Sequence, residues 1–81
     1  MVSLQETKMF KSKDFEVALV EDMLRDVIDN LKEKGYNPVN QIVGYLMSGD
    51  PGYISSHKEA RKKIQKFDRS VILEVLVSKY L

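Results

Sequence analysis

Apolar side chains recur every three or four positions along much of this chain, which is the spacing of one face of an α-helix. The clearest stretch predicts a helix over residues 15–34, with Asp14 as its N-cap and Gly35 in the left-handed position after it. Residues 1–13 show no sustained period, so we expect a mobile tail there. The apolar positions of the helix are Phe15, Leu19, Val20, Met23, Leu24, Val27, Ile28 and Leu31.

Glycine and proline divide the middle of the chain into short elements. All four glycines and both prolines lie between residues 35 and 52. Asn37-Pro38 is a capping residue followed by a residue that tolerates the first helical position, which predicts a second helix to about Ser48. Gly49 would end that helix, and Asp50-Pro51 would start one short turn.

Gly44 lies inside the predicted second helix, where glycine costs roughly 1 kcal/mol relative to alanine. It has no capping role at that position. We therefore expect another helix to approach closely at Gly44, either within the fold or across a dimer. Backbone access for a ligand is the rarer alternative.

Two further helices are predicted in the C-terminal part of the chain. The run Ser56-His57-Lys58-Glu59 matches a capping box, so a basic helix should run from there to about Lys66. Its inward anchors would be Ala60, Ile64 and then Phe67. Asp68 can cap a final helix over residues 69–80. Its β-branched residues also suit a strand, but the polar period of four and the segment length favour a helix.

The final helix is apolar on nearly all sides, which requires burial on more faces than an 81-residue protein supplies alone. We therefore expect an all-α fold: a compact, homodimeric bundle of four to five short helices, with one helical domain over residues 14–81. The first candidates for the dimer interface are in the final helix and the second set is in the second helix. They are Val71, Ile72, Val75, Leu76 and Tyr80, then Ile42, Gly44 and Tyr45.

The composition limits the compartment and the partners. The chain has no cysteine, no hydrophobic signal core near its start and no apolar run of the length needed to span a membrane, so we expect a cytoplasmic protein. The net charge is only +1, but residues 14–33 carry a net −5 and residues 57–69 a net +4. These segments could pair within the fold or across a dimer, or could be two solvated helix faces.

Catalytic and metal-binding patterns are weak. His57 is the only histidine, and its carboxylate neighbours are explained as caps, so no metal site and no cofactor is expected. The remaining carboxylates fit a solvated helix face, and no nucleophile-and-base pattern is recognisable, so no enzyme activity is expected. The alternative function is nucleic-acid binding by a helix-turn-helix-like arrangement. Its phosphate contacts would come from Arg61, Lys62, Lys63, Lys66 and Arg69.

Thr7 and Ser3 are hydroxyl residues in the expected tail. Phosphorylation of either would add about −1.5 to −2 charge at pH 7, beside Lys8 and within reach of a basic helix. The tail could therefore act as a charge switch.

The motifs Gly35-Tyr-Asn-Pro, Asn40-Gln-Ile-Val-Gly-Tyr, Ser48-Gly-Asp-Pro and His57-x-x-Ala-Arg, in this order and spacing, resemble the IreB family. These are small cytoplasmic regulatory proteins of low-GC Gram-positive bacteria. The ending, Ile72-Leu-Glu-x-Leu-Val77 and then Tyr80-Leu81, is also similar.

The resemblance implies an all-helical homodimer without enzyme activity. It also implies a substrate of a transmembrane Ser/Thr kinase with PASTA repeats, opposed by a phosphatase, that acts on an unknown downstream protein and modulates cell-envelope stress or antibiotic tolerance. The family is phosphorylated on threonines near the N-terminus, and Thr7 in Glu6-Thr7-x-x-Phe10 matches the main part of that pattern. The second threonine is not matched, because Leu4 stands there with Ser3 beside it.

Overall fold

The computed structural model describes the backbone of residues 2–81 and the side chains from Lys13 onward. This part of the chain is helical and contains no strand, which confirms the all-α fold and the helical form of the C-terminal segment. None of its helices is both long and apolar enough to cross a bilayer. The elements are α1 (Val2–Glu33), α2 (Pro38–Ser48), α3 (Ala60–Ile64) and α4 (Arg69–Ser78), with 3-10 turns at Pro51–Tyr53 and His57–Glu59.

Helix α1 begins at Val2 rather than near Phe15, and Asp14 lies inside it instead of capping it. No glycine or proline precedes Gly35, so nothing in the local sequence stops the helix earlier. At its C-terminal end Gly35 adopts a left-handed φ of 83°, and the amide of Tyr36 donates to the carbonyl of Leu31 at 2.9 Å. The side chains of Ser3 and Thr7 are outside the described residues, and the tail's mobility stays a prediction.

The core forms where one face of α1 packs against the shorter helices. Its fully buried side chains come from α1, α3 and α4, and Ile54 adds one from the loop between the 3-10 turns. Ala60 and Ile64 are both buried, which confirms them as the inward anchors of α3. The largest fully buried side chains are Leu31, Ile54, Ile64, Ile72, Val20 and Val27.

Helix α2 is bounded by the residues that the sequence predicts. Asn37 Oδ1 accepts a hydrogen bond from the amide of Asn40 at 3.1 Å, with Pro38 at the first helical position. Gly49 closes the helix with a φ of 77°, and Asp50 Oδ1 accepts from the amide of Gly52 at 2.8 Å to form the first 3-10 turn. Local signals therefore set both ends of α2: a side-chain cap at its start and a left-handed glycine at its end.

The predicted capping box at Ser56 is wrong. The Ser56 side chain makes no capping hydrogen bond, and α3 begins only at Ala60. Lys58 and Glu59 instead have φ values of 50° and 63°, which interrupts the helix that the local sequence favours. The prediction fails because His57 and Lys58 both bind Glu33, a partner more than twenty residues away in the sequence.

Gly44 is at a close contact within the fold, with the ring of Tyr53 as the neighbour rather than a second helix. A Cβ atom placed on Gly44 would lie 2.8 Å from Tyr53 Cε1 and closer still to Cδ1. Glycine is therefore needed so that the first 3-10 turn can pack against α2.

Candidate functional site

The acidic face of α1 and the basic segment around α3 pair within the protomer. Lys63 Nζ lies 2.8 Å from Asp26 Oδ2 and donates to Asn30 Oδ1 at 2.9 Å. Asn30 is the one buried polar residue among those described, and the sequence analysis missed it. Its place three residues after Val27, on the apolar face of α1, was the available signal.

Glu33, His57 and Lys58 form a second contact between the same segments, which we call the Glu33 cluster. His57 Nε2 donates to Glu33 Oε1 at 2.7 Å, and Lys58 Nζ donates to Oε2 at 2.9 Å. These two hydrogen bonds, from His57 first and then Lys58, hold the pKa of the Glu33 carboxyl below its usual value. The chain thus uses its only histidine in a hydrogen bond to a carboxylate of another helix.

A third contact joins the middle of α1 to the residues that follow α4. Lys79, just after α4, forms an ion pair with Glu21 on α1. The hydrogen bond from Lys79 and its charge lower the pKa of Glu21. Titratable groups in these three contacts therefore connect secondary-structure elements, and no group of three or more His, Cys, Asp or Glu residues in the described part could hold a metal ion.

Three of the five cations proposed for nucleic-acid contacts bind the protein itself. Arg61 Nε donates to the carbonyl of Ile54 at 2.9 Å, and Lys63 is tied to α1. Arg69 Nη1 donates to the carbonyl of Leu46 at 3.0 Å, at the C-terminal end of α2. Lys62 and Lys66 are the two exposed members of the set without a described partner, so the structure does not favour the helix-turn-helix alternative.

Half of the residues proposed for a dimer interface are in the protomer's own core. Ile72, Val75, Ile42 and Tyr45 are buried within a single chain. Val71 and Leu76 pack partly against that core, and Gly44 contacts Tyr53. Tyr80, just after α4, is 90% exposed, and Leu73 and Val77 are exposed on the helix itself, so the surface available to a partner is the outward side of α4.

An apolar groove of about 490 Å³ runs between α1 and α4. Leu73, Val77 and Leu81, spaced four residues apart, lie along it, and all three are exposed. Glu16 and Glu74 also line the groove. We call this surface the α4 groove.

A second exposed apolar surface lies on α2. Val39, Val43 and Met47 recur every four residues, and Met47 is 82% exposed. Helix α2 contains no charged residue. We call these three side chains the α2 ridge. The apolar residues of α2 are thus divided, because Ile42 and Leu46 are buried in the core while the α2 ridge is on the surface.

A family model described as "IreB regulatory phosphoprotein" matches residues 5–81, nearly the whole chain. The chain therefore belongs to this family, which confirms the resemblance carried by its glycine, tyrosine and proline motifs.

Proposed function

We propose that this chain is a non-enzymatic signalling protein of the cytoplasm whose Thr7 is phosphorylated by a membrane Ser/Thr kinase and dephosphorylated by a matching phosphatase. The observation that carries the proposal is the match to a regulatory phosphoprotein family over residues 5–81, which includes the segment Glu6-Thr7-x-x-Phe10. Ser3 is a secondary acceptor. The output, through a downstream protein, is the modulation of cell-envelope stress or antibiotic tolerance.

The contacts of the polar side chains support a regulatory rather than a catalytic role. Contacts between secondary-structure elements engage His57, Glu33, Asp26 and Lys63. A catalytic acid or base needs a position where its proton can reach a substrate. The folded part of the chain thus has a scaffolding role, and the proposed phosphorylation site is near the N-terminus.

The second part of the proposal is a homodimer through the α4 groove. Leu73 and Val77 line the groove and expose apolar surface on a helix whose other side is already buried. A second copy that covers this surface would bury the apolar side of α4 that is exposed in the single chain. The symmetry of such a dimer would place the same residues on both sides of the interface.

The phosphorylation is tested by incubating the full chain with a PASTA-type kinase domain and ATP, and counting phosphates by intact mass. We expect one phosphate on the wild type, none or little on Thr7→Ala, and no change for Ser56→Ala, an exposed hydroxyl of the body. Peptide mapping should place the phosphate in residues 1–13. A wild type that stays unmodified beside a phosphorylated control substrate would refute the proposal.

A further inference from the structure

Lys58 and Glu59 are two successive non-glycine residues in the left-handed region, with φ values of 50° and 63°. L-residues with side chains seldom adopt this conformation, and two in a row store backbone strain. Such strain persists only where surrounding contacts force it, and it is often connected with a switch. The turn His57–Glu59 is therefore an unusual feature of this fold.

The local sequence favours a different structure at the same place. Ser56 and Glu59 have the spacing of a capping box, in which Ser56 Oγ would accept from the amide of Glu59 and a helix would start at His57. In the structure the amide of Glu59 donates to the backbone carbonyl of Ser56 at 2.9 Å instead. The side chain of Ser56 is not used as a cap.

Side-chain contacts hold the strained turn, and one of their partners lies far away in the sequence. Glu33 takes a hydrogen bond from His57 on one carboxylate oxygen and from Lys58 on the other. Ser55 Oγ accepts from the amide of His57 at 3.1 Å. Glu33 is the only one of these partners that lies on another secondary-structure element, so it is the contact through which the rest of the molecule can act on the turn.

We propose that Ser56–Glu59 is a switchable first turn of α3: Glu33 holds it in the left-handed form, and its release lets the capping box form and the helix start at His57. The two arrangements differ in local hydrogen bonds and leave Ala60 as the buried anchor of α3. The element is bistable because local propensity and the long-range contact favour opposite states.

The helical state creates a surface that the left-handed state lacks. In a helix that starts at His57, Lys58 would lie one turn before Lys62 on the same face, and Lys66 follows just beyond the end of α3. Lys62 and Lys66 are already exposed. A phosphorylated peptide segment fits this row, because a phosphate dianion can compete with the single carboxylate of Glu33 for Lys58 and bridge it to Lys62.

The conformational part is tested by NMR on the full chain with the variants Glu33→Ala and Glu33→Ala/Ser56→Ala. One-bond Cα–Hα couplings distinguish positive from negative φ. In Glu33→Ala we expect Lys58 and Glu59 to shift to helical values, with new contacts between the Hα of His57 and the amide of Ala60. The added Ser56→Ala change removes the cap and should reverse the shift, although Ser56 makes no capping bond in the present structure. Unchanged positive φ in Glu33→Ala would overturn the proposal.

The binding part uses a synthetic peptide of residues 2–13 with phosphothreonine at position 7, titrated against the full chain. The choice of this peptide rests on the proposed phosphorylation of Thr7, but its phosphate is introduced by synthesis, so failure here and failure of the kinase reaction are distinguishable. We expect the phosphopeptide to bind and its unmodified form not to bind. If about a tenth of the wild-type molecules are in the helical state, Glu33→Ala should bind the phosphopeptide about tenfold more tightly than the wild type does.

The double variant separates the switch from simple charge removal. Glu33→Ala/Ser56→Ala has the same net charge as Glu33→Ala but lacks the cap, so it should lose most of the gain in affinity. Equal affinity of the two variants would show that only the lost carboxylate matters and would overturn the switch. Equal binding of the phosphorylated and unmodified peptides would overturn the ligand assignment.

Discussion

Residues that lack a side chain, or whose backbone has a positive φ, determine how the short elements of this protein fit together. Gly44 admits the ring of Tyr53 against α2, and without that contact the first 3-10 turn could not pack where it does. The close approach at Gly44 was predictable because a mid-helix glycine needs a reason. The identity of its neighbour was not predictable, because Tyr53 lies in the 3-10 turn after α2 and the local pattern does not specify how that turn is oriented against the helix.

Gly44→Ala should lower the free energy of unfolding by about 1 kcal/mol. Displacement of the Tyr53 ring costs about 1–3 kcal/mol, whereas the better helix propensity of alanine returns about 1 kcal/mol. In a Tyr53→Ala background the ring is absent, so the same change should become stabilising. Urea denaturation of the four proteins of this cycle measures both values, and a destabilisation of equal size in both backgrounds would contradict the assigned contact.

Glu59→Gly should stabilise the protein by roughly 0.5–1 kcal/mol, because glycine adopts a φ of 63° without strain. Lys62→Gly, inside α3 and also exposed, is the matched control and should cost about 1 kcal/mol. Thermal unfolding of both variants tests this difference in sign. Destabilisation of similar size at both positions would mean that Glu59 is helical in solution.

At the scale of elements, ends set by local capping were predictable and contacts between distant segments were not. Both ends of α2 follow from Asn37-Pro38 and Gly49, since each signal acts within a few residues. The start of α3 was mispredicted because Glu33 overrides the capping box from another helix. Opposite net charges indicated that α1 and α3 could pair, but could not identify Asp26 and Glu33 as the acids involved.

Arg69→Ala should lower the free energy of unfolding by about 1 kcal/mol, because the guanidinium group donates to Leu46 at the negative end of α2. Lys66→Ala, also a lost surface cation, should stay within about 0.5 kcal/mol of the wild type. Chemical denaturation at matched ionic strength gives both numbers. Similar losses for the two variants would show that overall charge, rather than this cap, is responsible.

The Glu33 cluster should make stability depend on acid pH. Because the pKa of Glu33 is below its usual 4.5 in the folded state, its ionised contacts with His57 and Lys58 stabilise the protein above about pH 4.5. That contribution is lost as the pH falls through the lowered pKa. The stability difference between the wild type and Glu33→Gln should therefore be present at pH 7 and shrink towards pH 3 in denaturation experiments. A difference that does not change with pH would contradict this assignment.

At the scale of the whole molecule, two apolar surfaces are exposed on one small body, and the proposed dimer covers the α4 groove. Val77→Glu should raise the dimer dissociation constant at least about tenfold, because a charge would be buried at the interface. Met47→Glu, on the α2 ridge and even more exposed, should leave the association unchanged. Sedimentation velocity over micromolar concentrations compares them. A dimer disrupted by Met47→Glu and not by Val77→Glu would move the interface to α2.

We propose that this family member is regulated by phosphorylation near its N-terminus, while the folded part of the chain serves as a scaffold. The most direct measurement is phosphopeptide mapping of the chain recovered from growing cells that contain either the active membrane kinase or a kinase-inactive variant. We predict phosphothreonine at position 7 in the first sample and its absence in the second. Full coverage of residues 1–13 with no modification in either sample would refute regulation through Thr7.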